Sequence, residues 1–154
     1  MQYNNRRPGG FNRQGGAPRG GQPYGQPAPI MPKPVPQDYV DEAERVMRTL
    51  LEDKSRITTS KLRGFLALIS EIYNEENLRS DKKLSPASQA KLLRLRVKAV
   101  YDAGREPAVK RFVEQAQLLE YIKGVGTDRE SLILLAHYME ALVAYHRYLG
   151  GKEN

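Results

Sequence analysis

The chain has 154 residues, with 25 Lys plus Arg against 18 Asp plus Glu, a formal charge of +7, and neither Cys nor Trp. That describes one modest domain with a charged surface. Without cysteine there are no disulfide staples, thiolate nucleophiles or cysteine-ligated metal centres, and an intracellular, cytoplasmic setting is expected.

Residues 1–36 hold 8 of the 10 prolines, 7 of the 13 glycines, five cations and no acid. Such a segment has too little apolar surface to offset backbone ordering, at roughly 1 to 2 kcal/mol per residue, and is expected to be a disordered tail. It lacks the apolar core of a signal peptide, and no run of about 18 apolar residues follows, so neither export nor membrane spanning is expected. Residues 37–154 are read as one helical bundle domain. From Asp38 the apolar residues Tyr39, Ala43, Val46 or Met47, and Leu50 or Leu51 recur at helical spacing, predicting a helix over about 38–53. Thr58, Thr59 and Ser60 offer an N-cap to a second helix with the stripe Leu62, Phe65 or Leu66, Ile69, and Ile72 or Tyr73, fading near Asn77. A third begins at Ser85 with Pro86 in its first turn, follows Leu93, Val97 and Val100, and is expected to stop at a left-handed Gly104. A fourth runs from Pro107 through Phe112, Ala116 and Leu119 to Gly124, and a fifth starts at a capping box of Thr127 and Glu130 and ends near Leu149. With no strand alternation and short connections, the fold class is all-α, a compact bundle of about five helices.

The sequence holds no nucleophile elbow, phosphate loop, paired metalloprotease histidines or dinucleotide glycine fingerprint. Its two histidines, His137 and His146, lie about 180° apart around an ideal helix and do not suit one metal ion. His137 with Glu140 offers two ligands on one face, but a packed histidine explains the pair more simply. No catalytic residue, metal or cofactor is therefore expected.

Charge distribution is more informative. Residues 54–63 and 79–111 are two basic segments, of +4 and +7, in a chain whose folded part is otherwise near neutral or acidic. A helix N-terminus bears partial positive charge and normally attracts acids. The first and fifth helices follow that rule with Asp41 and Glu42, and with Asp128 and Glu130. The middle three lean the other way: Lys54, Arg56, Lys61 and Arg63 surround the second helix start, Lys82 and Lys83 precede the third, and Arg105, Lys110 and Arg111 flank the fourth. A phosphate bound by amides, capping hydroxyls and long cations would reverse the unfavourable placement, which makes these residues candidate RNA-binding positions. Glu106 beside Arg105 weakens the case at the fourth helix, and solvated surface cations are the plain alternative. On the third helix Lys91, Arg94, Lys98 and Arg105 fall within about 60° of one another, a basic ridge between two apolar flanks, Leu93, Val97 and Val100 on one side and Leu92, Leu95 and Ala99 on the other. Burial on both flanks is expected. Tyr138 and Tyr145 share a face of the last helix and suit a core position with a hydrated hydroxyl.

The tail carries PGG, RQGG and PRGG with Tyr3, Phe11 and Tyr24, a pattern that suits single-strand binding by charge and stacking, or simply a solubilising linker.

The stretches ITTSKLRGFLALISEIY from Ile57, VYDAGREPAVKRFV from Val100, LLEYIKGVG from Leu118 and MEALVAYHRYLGG from Met139 together resemble the small subunit of type III-A CRISPR Csm interference complexes. The resemblance covers about residues 38–152, and its specificity lies in four ordered blocks of one helical chain. It implies a noncatalytic protein, present in several copies, stacked beside the backbone subunits along a guide RNA–target RNA duplex, with its basic surface toward target-strand phosphates. Target cleavage would belong to the backbone subunits, and cyclic-oligoadenylate synthesis or DNA cutting to the large subunit. Lys61, Arg63, Arg105, Lys110 and Arg111 lie inside the matching blocks. Lys54, Arg56, Lys91, Arg94 and Lys98 rest on the charge argument alone, and the N-terminal tail has no counterpart. The alternative from another class is a scaffold of purely protein–protein contacts, with RNA binding confined to the Arg-Gly tail.

Overall fold

The computed structural model describes residues 28–53 and 56–153, and the expected disorder of the tail concerns mostly residues outside that range. Among the described residues six helices follow in order: α1 Tyr39–Leu51, α2 Thr59–Glu76, α3 Pro86–Arg105, α4 Pro107–Gln115, α5 Leu118–Val125 and α6 Arg129–Tyr148. No strand occurs among the described residues, only an isolated bridge between Lys83 and Asp128. The all-α expectation holds.

Local chemistry sets the boundaries. The Thr58 side chain accepts from the Lys61 amide at the start of α2, and Ser85 accepts from the Ser88 amide with Pro86 filling the first turn of α3. At α6 the cap is Asp128 rather than Thr127. Its carboxylate accepts from the Ser131 hydroxyl and amide at 2.6 and 3.0 Å, which hold it below the usual carboxylate range. Gly104 does not stop α3, which continues through Arg105 and ends where Pro107 opens α4.

The expected fourth helix is two helices. Gln117 adopts φ 53°, the left-handed region, and breaks α4 from α5. Its side chain explains why a glutamine stands there: the amide nitrogen donates to Glu42 Oε1 at 3.3 Å and the amide oxygen accepts from Lys33 Nζ at 2.5 Å.

α6 is the central element, packed against α1, α2 and α5, while α3 covers α2, α4 and α5. Phe65, Ile69 and Ile72 of α2, Met47 of α1 and Leu132, Leu135, Met139 and Leu142 of α6 fill the core. Each such side chain contributes roughly 1.5 to 3 kcal/mol by leaving water. Tyr138 lies in the same core, but its hydroxyl is dry and donates to the Ala116 carbonyl at 2.9 Å.

Two further expectations fail for tertiary reasons. α3 buries only Leu92, Leu95 and Ala99 of its apolar residues, whereas Leu93, Val97 and Val100 are each more than half exposed, because no described element covers that flank. Part of the expected tail is packed. Ile30–Pro36 lie along α5, Val35 is buried, and the Lys33 amide donates to the Glu120 carbonyl at 3.0 Å.

Candidate nucleic-acid interface

Antiparallel packing of α2 on α3 decides which cations meet. Lys61 at the start of α2 reaches Glu106 at the α3–α4 junction, Nζ to Oε1 2.7 Å. Arg111 of α4 pairs with Asp53 after α1, and the Arg56 guanidinium donates to the Asp53 carbonyl at 2.8 Å. The starts of α2 and α4 therefore share one end of the bundle, gathering Arg56, Lys61, Arg63, Arg105, Lys110 and Arg111 from distant segments. The α3 start lies at the opposite end, where the Ser85 amide donates to Glu76 at the close of α2 and the Leu84 amide to the Thr127 carbonyl before α6. Lys82 and Lys83 do not join the cluster. Lys54 lies outside the described residues.

Amide-bound phosphate at α2 is excluded by the chain itself. The Thr59 and Ser60 amides donate to the Lys152 and Glu153 carbonyls at 2.8 and 3.1 Å, and the Lys61 amide to Thr58. Only side chains are left to hold an anion there.

The cations differ in how free they are. Lys91 is held by two α2 carboxylates, Glu75 at 2.5 Å and Glu71 at 2.9 Å, and the Glu75 bond first and Glu71 second raise its pKa. Lys98 pairs with Asp102 at 2.7 Å and lies 5.7 Å from the centre of the Phe65 ring. The ridge read from α3 is therefore split, with Lys91 and Lys98 turned to the α2 seam. Arg105 lies 5.4 Å from the centre of the exposed Tyr101 ring. Arg63, Arg94 and Lys110 are exposed and have no carboxylate partner among the described residues. Of the candidate cations among the described residues, these three, with Arg56 and Arg105, are available to an external anion.

Beside them α3 presents Leu93, Val97, Val100 and Tyr101 along one exposed stripe, with Arg94, Lys98 and Asp102 at its border. On the far side of the molecule a groove of Tyr39, Val40, His137, Glu140, Ala141 and Ala144 runs between α1 and α6. His137 packs against the rings of Tyr73 and Tyr39, 5.7 and 6.3 Å away between centres. Among the described residues no three His, Cys, Asp or Glu side chains gather to hold a metal ion.

Sequence reasoning missed the buried polar groups that shape this frame. Glu76 has no exposed surface, and both its oxygens meet Arg79 Nη1, at 3.1 and 2.9 Å, while the Ser85 amide donates to Oε1 at 3.0 Å. Burial alone would raise its pKa, but the Ser88 hydroxyl first, then the Ser85 amide and Arg79, outweigh it and lower the carboxyl to about 2. The Ser88 hydroxyl faces this carboxylate without meeting hydrogen-bond geometry. Glu42, read from sequence as a first-turn surface acid, is buried and accepts from the Tyr121 hydroxyl at 2.6 Å. Burial first, and this carboxylate second, push the Tyr121 pKa up.

With this geometry in view, comparison with known proteins is decisive. The family model Csm2 Type III-A matches residues 33–152. The chain belongs to the Csm2 type III-A family. A Mycobacterium tuberculosis (H37Rv) protein named CRISPR system Cms protein Csm2 is 40% identical over 121 residues, covering 77% of this chain and 97% of its own length. The Csm2 of Streptococcus thermophilus is 43% identical over 121 residues, 76% of this chain and 95% of its own. The Enterococcus italicus Csm2 is 38% identical over 94 residues, 60% of this chain and 67% of its own. The Csm2 match takes in every helix among the described residues and the segment from Lys33 that lies along α5, and it leaves residues 1–32 outside.

Proposed function

We propose that the chain is the noncatalytic, RNA-binding small subunit of a type III-A CRISPR effector ribonucleoprotein in cytoplasmic antiviral and anti-plasmid defence. It binds the guide RNA–target RNA duplex through target-strand phosphates, beside the backbone and large subunits and further copies of itself. The observation that carries this reading is the meeting of exposed Arg56, Arg63, Arg105 and Lys110 at one end of the bundle. Unpaired guanidinium and ammonium groups on a rigid end fit a backbone whose charge repeats regardless of base, so sequence is left to pairing and the protein supplies position. Lys61, Lys98 and Arg111 hold the cation frame through their carboxylates, and Lys91 ties α3 to α2.

Association of copies draws on two complementary surfaces. The α3 stripe of Leu93, Val97, Val100 and Tyr101 is apolar with unpaired Arg94 at its border, and the α1–α6 groove around Val40 and Ala141 is apolar with Asp41 and Glu140 nearby. A head-to-tail contact between them buries both stripes and pairs opposite charges, whereas α3 against α3 would oppose like charges.

The test is duplex affinity against salt for an assembled complex carrying Arg63→Glu with Lys110→Glu. Loss of two phosphate contacts lowers the logarithmic slope by about 2 units for every RNA sequence alike. An unchanged slope and affinity would sink the assignment in favour of a purely protein–protein scaffold.

A further inference from the structure

Packing around α5 leaves a concave site at the end of the bundle opposite Arg63 and Lys110. Ile30–Pro36 form a strap across this helix, in which the Lys33 amide donates to the Glu120 carbonyl at 3.0 Å and Lys123 Nζ to the Ile30 carbonyl at 2.8 Å. Gly124 permits the approach, since a Cβ there would collide with the Lys33 carbonyl, and Val35 sinks into the core as the strap's apolar anchor. Between the strap, α3 and the turn after α5 lies a groove of about 350 Å³. That volume falls within the roughly 300 to 1,000 Å³ of small-molecule sites.

The groove combines an apolar body with polar groups from separate segments. Buried Leu92 and Ile122 form its floor, and exposed Leu93 and Pro32 stand as walls from α3 and the strap. Arg96 enters it partly buried, with no carboxylate partner among the described residues, and Lys123 keeps two ammonium protons beyond the one given to Ile30. The Gln89 amide group is fixed by donation to the Leu84 carbonyl at 2.9 Å, which leaves its oxygen to accept. Thr127 brings a hydroxyl, and its position is set by the Leu84 amide, which donates to its carbonyl at 2.9 Å. A guanidinium drawn partly out of water beside apolar side chains is matched by a phosphate or carboxylate that takes its fork. An aliphatic carboxylate would use the cations and the floor and leave Gln89 and Thr127 unmatched. A flat apolar ring with a hydrogen-bonding edge and an attached phosphate uses all of them.

We propose that this groove binds one nucleotide unit, with its base against Leu92, Leu93 and Pro32, the base edge on Gln89 and Thr127, and the phosphate on Arg96 and Lys123. A free nucleotide and one unpaired residue of a strand offer the same chemistry, whereas a base stacked inside a duplex hides its faces. The site is separate from the duplex-binding end, because Gln89 lies in the opening turns of α3 and Arg105 at its close.

The test titrates the isotope-labelled full chain with uridine monophosphate and reads its backbone amide shifts, with uridine, inorganic phosphate and hexanoate as comparison ligands. Uridine monophosphate should shift the amides of Leu93, Gly126 and Thr127 together and bind more tightly than any of the three. Arg96→Gln should weaken the nucleotide by about tenfold and leave uridine within about twofold, since only the phosphate contact is lost. Its melting temperature should hold, as Arg96 ties no carboxylate among the described residues. Gln89→Met should weaken nucleotide and nucleoside alike. A five-nucleotide oligo-uridine that binds the groove more tightly than the mononucleotide identifies a strand as the source, and equal or weaker binding identifies the free nucleotide. Absence of shifts at the groove overturns the proposal, as do hexanoate or inorganic phosphate binding as tightly as the nucleotide, or nucleotide binding unaffected by Arg96→Gln. Arg63→Glu with Lys110→Glu should leave the mononucleotide titration unchanged, so failure of the duplex reading leaves this result intact.

Discussion

Glu76 ties three elements at one point: it closes α2, accepts from the amide that opens α3, and its own carbonyl accepts from Arg129 Nε of α6 at 2.7 Å. Its folded pKa of about 2 lies below the ordinary 4.5. Its contribution is therefore complete above about pH 4.5 and is lost as pH falls through the interval toward 2. Glu76→Gln should destabilise the fold by about 1 to 3 kcal/mol, because the Ser85 amide and Arg79 Nη1 lose a charged acceptor while Arg79 keeps Asp81, and should flatten the acid limb of a denaturation profile. His146 behaves in the opposite chemical sense. It is buried, with Nε2 2.8 Å from the Ile57 carbonyl and Nδ1 3.1 Å from the Thr59 hydroxyl, and burial lowers its pKa below 6.5. A base with a depressed folded pKa leaves stability level above 6.5 and costs stability as pH falls from 6.5 toward the folded value, since the unfolded chain takes the proton first. Denaturant midpoints across that window check it, and a flat profile refutes a neutral His146. Gly151 packs so close to this ring that Gly151→Ala should cost about 1 to 3 kcal/mol, read as a drop in melting temperature.

Among elements, α3 is the one whose exposed face calls for a partner. Leu93, Val97, Val100 and Tyr101 recur at spacings of four, three and one, a stripe that a covering helix would bury. Val97→Glu should leave the isolated fold within about 0.5 kcal/mol, since Val97 touches solvent, yet weaken association with a neighbouring copy. Sedimentation of the isolated chain and subunit stoichiometry of the assembled complex check this, and unchanged values in both would remove α3 from the interface. The periodicity of α3 was fully legible in the sequence, but which of its two apolar flanks is buried was not. The two flanks are similarly hydrophobic, and only the position of α2, α4 and α5 selects Leu92, Leu95 and Ala99. The break at Gln117 was illegible for a related reason. Glutamine is an ordinary helix residue, and its left-handed backbone is stabilised by Glu42 and Lys33, 75 and 84 residues away in sequence.

For the whole molecule, the cation set shows how little a formal charge says about a surface. Residues 1–36 carry +5 of the +7, and the other 20 lysines and arginines nearly balance 18 acids, several in direct pairs as at Lys61, Lys91, Lys98 and Arg111. Exposed pairs of this kind contribute about 0 to 1 kcal/mol each to stability, so their effect lies in deciding which cations stay free. Residue order alone was enough for the all-α class, the cap Ser85 and the Thr58–Ser60 cluster that holds the second cap, the stripes of α1 and α2, and, through four ordered blocks, the family. These are local or linear properties, set by helical period, cap chemistry and the succession of side chains. Packing in three dimensions was needed to bring the starts of α2 and α4 together while that of α3 lies at the other end. It also turned Lys91 into a tie and left Arg63, Arg94 and Lys110 free, closed the α2 amides with the C-terminal carbonyls, and laid Ile30–Pro36 along α5. Each depends on groups remote in sequence coming within a few ångströms, and Coulomb attraction and hydrogen bonding are strong only over that distance.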